Sequence, residues 1–310
     1  MSRSATRWAA VVTAPVALSA CGGGGDMTAP PPEPEIYRIP VVVHVIHQGE
    51  PVGQGHNLSD QRVLDQIRIL NEDYRRKEGT PGFNDHPAGG DARIEFVLAA
   101  RAPDGSATNG IDRVDASAVV HPTPPGSQYD YYAYYGYWDP AQYLNVWTMP
   151  LDPSTIDIVL GLATGPDTDL PGGDLFDPGE PAQAEGILIN SAHFGPSGIA
   201  SEYNAGRTLT HEVGHYLGVL HPWGGGDCAD NDFCDDTPPV DAAVTGCPAT
   251  PPTACDGTDV MMENFMNYTP DRCMNVFTHD QIERMHHVLE NSPRRKSLTE
   301  SPGLESPVVP

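Results

Sequence analysis

No stretch of this 310-residue chain reaches the roughly 18 consecutive apolar residues that a membrane-spanning helix needs. Positive charge is scarce as well. Lys and Arg number 17 against 42 Asp and Glu, a formal net charge of -25, which argues against binding nucleic acid and against docking on anionic lipid. Two local patterns are also missing. There is no Cys-x-x-Cys pair to suggest a structural zinc, and no acidic loop has the spacing and closing glutamate of an EF-hand. What remains is a chain long enough for one large or two modest domains with a substantial core. Its acidic excess is an ordinary solvated surface except where carboxylates cluster.

Residues 1–20 read as an export signal. Arg3 and Arg7 supply the positive region and Trp8 to Ala17 the short apolar region. Leu18-Ser19-Ala20-Cys21 then matches the bacterial lipoprotein processing box, in which Cys21 becomes the lipidated first residue. An ordinary secretory signal with an incidental cysteine is the alternative. Residues 21–35 read as that cysteine and a flexible linker, because Gly22 to Gly25 follow at once and the prolines after them show no apolar periodicity. The chain is therefore expected to be exported and either lipid-anchored to the cell envelope or secreted, with the lipid as its only membrane contact. In a Gram-negative cell, Gly22 rather than aspartate after the cysteine implies the outer membrane, by resemblance to sorted lipoproteins.

Ile36 to His47 is rich in β-branched residues and predicts a buried strand. Ser59 then caps a helix with Val63, Ile67, Leu70 and Tyr74 at helical spacing, and Ala92 to Ala100 gives a second strand. Tyr143 to Met149 and Gly186 to Asn190 give a third and a fourth. The tyrosine-rich stretch 129–138 reads as a partly buried aromatic layer, with a substrate or glycan platform as the alternative. Residues 152–181 read as a long surface loop. A last helix from Thr278 to Glu290 buries Ile282, Met285 and Leu289, and residues 291–310 read as a disordered Ser/Pro tail.

The chemistry concentrates in HEVGHYLGVLH, residues 211–221. His211 and His215 are four apart, so on a helix they share one face and can grip one metal ion. Gly218 can end that helix in a left-handed conformation, and the turn brings back His221 as a third ligand. Three protein ligands and one open position make a catalytic rather than a structural zinc. Glu212 beside them is placed to accept a proton from the metal's water and pass it to a leaving amine.

HEVGHYLGVLH, the downstream NFMNYTPDRCMNVFT (264–278) and QIERM (281–285), the YLNVW strand and DDTP (235–238) together resemble the pappalysin-type metzincins, in particular their cytophagalysin and ulilysin-like branch, over roughly residues 36–290. The resemblance implies an α+β, zincin-like catalytic domain. Its upper half, 36–221, would hold a mixed twisted sheet, a backing helix and the active-site helix. Its lower half, 222–290, would be irregular and disulfide-stapled and end in the C-terminal helix. Met266 would form an apolar methionine turn under the zinc imidazoles, and Tyr268 would stabilise the oxyanion. Asp271 would lie in the pocket for the residue after the cut and favour Arg or Lys there, unless it is only a turn aspartate after Pro270. Asp232, Asp235, Asp236 and Thr237 would bind a structural calcium, unless they are a solvated acidic loop. Cys228 would pair with Cys255 and Cys247 with Cys273, leaving Cys234 over.

The implied function is a monomeric metalloendopeptidase with one catalytic zinc that hydrolyses protein or peptide substrates. A surface adhesion lipoprotein that keeps the fold without catalysis is the competing reading.

Overall fold

One long strand organises the molecule. In the computed structural model, which describes residues 35–118, 128–149, 160–175, 184–229 and 231–307, the β-branched run forms β1, Tyr37–His47, buried continuously from Ile39 to Ile46. A strand covered on both faces needs apolar residues at successive positions, which is what this run supplies. Its first half pairs in parallel with β2, Ile94–Leu98, and its second half with β3, Ile111–Asp115. On its other side lies β4, Leu144–Met149, also parallel. The short β5, Gly161–Ala163, forms the edge, antiparallel to β6, Ile187–Asn190. The spatial order is β2-β1-β4-β6-β5. The fold is thus α+β with a mixed sheet.

Helix α1, Asp60–Tyr74, starts where the Ser59 hydroxyl accepts the Arg62 N–H, and it buries Val63, Ile67, Leu70 and Tyr74. After the short α2, Gln128–Ala133, come α3, Arg207–Tyr216, and α4, His279–Asn291. A reciprocal capping box between Thr278 and Gln281 satisfies two of the free N–H groups that open α4. Val41, Val43 and Val45 of β1 share one core with α1 and α3 and also with Met266, Phe277 and Met285. Residues before and after 221 are therefore packed as one unit. On the opposite face of the sheet Ile46, Trp147 and Leu188 are covered by Tyr132 and Tyr135, so the tyrosine-rich stretch contributes an aromatic layer there. Tyr134 and Tyr137 remain exposed.

Three features depart from the sequence expectations. Strand β3 was hidden because IDRVD carries charge at three of its five positions and is only half-buried. Strand β5 is a three-residue element inside a stretch that reads as loop, and part of that loop, with the export signal, Cys21 and the linker to residue 34, lies outside the described residues. The third concerns the disordered tail. Residues 292–307 instead lie along the domain in two single 3-10 turns, Leu298–Glu300 and Pro302–Leu304. Leu298 is fully buried in the main core, and the Ser297 and Ser301 hydroxyls donate to the carbonyls of Ala141 and Gln142. A segment held by one leucine and by main-chain hydrogen bonds has no period for a sequence pattern to show.

This packing has an energetic consequence. Leu298→Ala should destabilise the domain by about 2–5 kcal/mol, the cost of deleting a fully buried leucine. A urea-unfolding midpoint unchanged from wild type would show that the segment is not part of the fold.

Candidate active site

Helix α3 is buried along most of its length, His211 and Glu212 included. It ends in a Schellman turn: Val219 N–H reaches back to Gly214 O and Gly218 N–H to His215 O, with Gly218 at φ +85°. A side chain at Gly218 would be strained by that φ and would meet Val288 at 2.8 Å. The turn returns the chain over the helix and brings His221 to the face that carries His211 and His215. The three Nε2 atoms stand 3.0, 3.1 and 3.2 Å apart. Three nitrogens at about 2.0–2.1 Å from a tetrahedral ion would lie ~3.3 Å from one another, so the triangle fits zinc with little adjustment. Among the described residues this is the one group of three or more metal-ligating side chains.

Backbone carbonyls set the tautomers of two of the three rings by taking their Nδ1–H groups. His211 donates to Phe265 O at 2.7 Å and His215 to Val219 O at 2.8 Å, which leaves both Nε2 lone pairs for a cation. Burial, with small opposing contributions from those carbonyls, brings His211 down to about 4; burial and then the nearby His211 bring His215 down to about 3. Burial, then His215 and His211, depresses His221 also. All three rings are therefore neutral near pH 7, as metal ligands must be.

Glu212 has no hydrogen-bond partner among the described residues, and burial pushes its carboxyl up to about 8. Its position depends on a residue the sequence reading passed over. A Cβ on Gly161 of β5 would stand 2.8 Å from Glu212 Cγ and 3.0 Å from its Oε1. Glycine there lets the edge strand lie against the carboxylate. The motif's own Gly214 has a similar part, since a Cβ on it would collide with the Met266 sulfur. Met266 is fully buried against that turn of α3. The residue before it provides the carbonyl that orients His211, so the two distant motifs meet through both packing and a hydrogen bond.

Tyr268 is 44% exposed, with its ring centroid 5.7 Å from His211 and 5.0 Å from His221. Burial and then Glu212 raise the pKa of its hydroxyl. Its backbone is tethered by the Tyr203 hydroxyl, which donates to Tyr268 O at 2.9 Å. Tyr268, Glu212, the three histidines and Asp271 all line one cavity of about 710 Å³. Asp271 is buried at its wall. Its Oδ2 accepts the N–H groups of Ala205 and Arg207 at the start of α3, while Oδ1 has no hydrogen bond among the described residues.

Below the cleft, Cys228 is bridged to Cys255 and Cys247 to Cys273, and Cys234 is a buried free thiol. The second bridge ties the turn carrying Asp271 to the segment that runs beside Tyr268, where Thr245 and Tyr268 form a β-bridge. Of the acidic segment, Asp232 is buried with Oδ1 bonded to Cys234 N and Thr237 Oγ1 and Oδ2 unpartnered. Asp236 also has one buried oxygen without a partner, and Asp235 is exposed. These carboxylates do not converge as the histidines do, so a cation there would depend on backbone carbonyls for most of its ligands.

Comparison with known proteins points the same way. The family profile Peptidase_M43, described as pregnancy-associated plasma protein-A, matches residues 128–290. "Extracellular metalloprotease 1" of Coccidioides posadasii is 28% identical over 276 residues, 87% of this chain and 80% of the relative. An "Extracellular metalloprotease" of Arthroderma otae is 28% identical over 252 residues, 80% of this chain and 76% of that one. Among solved structures, mature mirolysin of Tannerella forsythia in complex with a cleaved peptide superposes with a TM-score of 0.70 and 34% identity, covering 86% of this chain and 96% of that one.

The contact between the two motifs can be tested at Gly214. Alanine normally stabilises a helix relative to glycine by about 1 kcal/mol, but Gly214→Ala drives a methyl group into the Met266 sulfur, and overpacking costs about 1–3 kcal/mol. The melting temperature should therefore fall. A rise would mean that Met266 does not press on the helix.

Proposed function

Since the chain belongs to the pappalysin-type M43 family of metalloendopeptidases, we propose that it hydrolyses internal peptide bonds at the cleft described above, with His211, His215 and His221 holding the catalytic zinc and Glu212 as general base. The observation that carries this reading is the convergence of three imidazole nitrogens beside the buried Glu212, whose carboxyl, raised by burial, a cation on the imidazoles would draw back toward its ionised form. Zinc held there supplies a water activated near neutral pH and a Lewis acid for the scissile carbonyl.

The protein's own residues do the rest. Glu212 takes the proton of the attacking water and returns it to the leaving amine. The Tyr268 hydroxyl donates a hydrogen bond to the oxygen that becomes negative as the carbonyl is attacked. Gly161 and its neighbours in β5 form the rim of the cavity next to Glu212. An edge strand has free backbone groups, so an extended peptide laid beside it gains main-chain hydrogen bonds whatever its side chains. The peptide-bound state of mirolysin supports a peptide as the occupant of this cleft.

Asp271 adds a preference. It lines the cavity and its Oδ2 alone is taken up by the N–H groups of Ala205 and Arg207, which leaves carboxylate charge to favour a cationic side chain, so Arg or Lys is the preferred residue after the cut. Export belongs to the same reading. Two disulfides need an oxidising compartment, and the fungal relatives are named extracellular.

Two measurements test the proposal. Glu212→Ala should lower kcat/KM on casein by about 10²–10⁴-fold or more, the range for a general base, while zinc remains bound at one ion per chain. Undiminished turnover would remove Glu212 from the mechanism. With paired peptides that differ only in Arg or Leu after the cut, the wild type should prefer Arg, and Asp271→Ala should reduce that preference about tenfold or more, as expected on removing one partner of a buried charge pair. An unchanged ratio would leave Asp271 as a structural cap on α3.

A further inference from the structure

Three histidines turn their Nε2 atoms to one point, yet only two of them are oriented by a hydrogen bond. His211 and His215 commit Nδ1 to the carbonyls of Phe265 and Val219. His221 makes no such bond among the described residues; its only polar contacts are those of Nε2 with the other two rings. An imidazole has a broad torsional preference about its Cβ–Cγ bond. Something else has to hold its plane.

Trp223 does so. Its ring lies on that of His221 with centroids 4.3 Å apart and planes within 10°. Tyr268 meets the same indole edge-on at 4.8 Å and 70°, and stands edge-on to His221 at 5.0 Å and 78°. The three rings form a closed aromatic cluster beside the other two histidines. Trp223 is itself held from the lower half, where it packs against a small core of Val240, Ala254 and Val260. Ala254 is next to Cys255, which is bridged to Cys228, five residues after the tryptophan.

We propose that Trp223 is a positioning residue for the third metal ligand. Its face takes the place of the missing hydrogen bond, holding the His221 ring in the plane that directs Nε2 at the metal, and its edge contact sets the resting place of Tyr268. The stack also favours the loaded state. A metal-bound imidazole carries partial positive charge, and the negative face of an indole attracts it more strongly than it attracts the neutral ring. The small core and its disulfide thereby act on zinc affinity through one side chain, although none of their atoms touches the metal site.

The inference rests on the zinc reading above, and the test separates the two. Zinc affinity is measured by competition with a chromophoric chelator for wild type, Trp223→Phe, Trp223→Leu and Trp223→Ala, and the visible absorption of the cobalt-substituted proteins is compared. Leucine fills space without offering a π-face; phenylalanine keeps the face. The Leu and Ala variants should bind zinc about 10–100-fold more weakly, the usual cost of losing an outer-shell partner, and Phe should stay within about threefold of wild type. The cobalt bands should be preserved in Phe and altered in Leu. A Leu variant with wild-type affinity and cobalt spectrum would overturn the inference, since the indole would then be filling space only. Should Trp223→Ala not fold, the Phe and Leu pair decides the question. If the wild type bound no zinc, the zinc reading would fall and this inference with it; if the wild type binds zinc and Leu matches it, only this inference falls.

Discussion

Three imidazole nitrogens stand within 3.2 Å of one another, the spacing that one shared cation requires, and the surrounding structure holds the rings that carry them. The backbone carbonyls of Phe265 and Val219 fix two rings and the indole of Trp223 covers the third. The helix that carries two of them is buried on nearly every side. Its C-terminal carbonyls are met by buried cations: Arg295 donates to Tyr216 O and Arg284 to Gly218 O. Positive charge at that end opposes the partial negative charge of the helix terminus. Arg295 is in turn neutralised by Glu185, which also pairs with Arg294. The three Nε2 atoms come together only in the folded chain, so folding and the binding of a cation there favour each other.

The segment between α3 and α4 has little regular structure and is held by covalent and packing restraints. Each disulfide closes a loop of 26 or 27 residues, which removes about 3–4 kcal/mol of loop entropy from the unfolded chain in the entropic account. They also have a local role. One keeps the turn bearing Asp271 beside the segment that flanks Tyr268, and the other anchors the small core behind Trp223. The proposed mechanism needs Met266, Tyr268 and Asp271 at fixed distances from a helix more than forty residues away in sequence. Two bridges and one shared core achieve that without a sheet.

Much of this was legible beforehand because it is local. The spacing of His211 and His215 depends only on helical geometry, Gly218 on the φ it must adopt, and the run at 37–47 on burial of both faces of a strand. What could not be read depends on contacts made at long range. Gly161 matters because β5 happens to lie against Glu212, and nothing in the string GLA says so. Arg295 and Leu298 sit in a segment that looks like a polar tail, yet one is buried beneath the active-site helix and the other in the core. Trp223 reads as an ordinary aromatic until its ring is seen on His221. Met266 and Tyr268 fall between. Family resemblance singles them out, while their physical reasons, the space left by Gly214 and the tether from Tyr203, appear only in three dimensions.

If these three imidazoles form one zinc site, X-ray absorption at the zinc edge of the purified protein will show one zinc per chain, coordinated by three imidazole nitrogens and one oxygen at about 2.0–2.1 Å, with no sulfur scatterer. A zinc–sulfur shell near 2.3 Å, or a protein that retains its zinc after His211, His215 and His221 are all replaced by alanine, would contradict it.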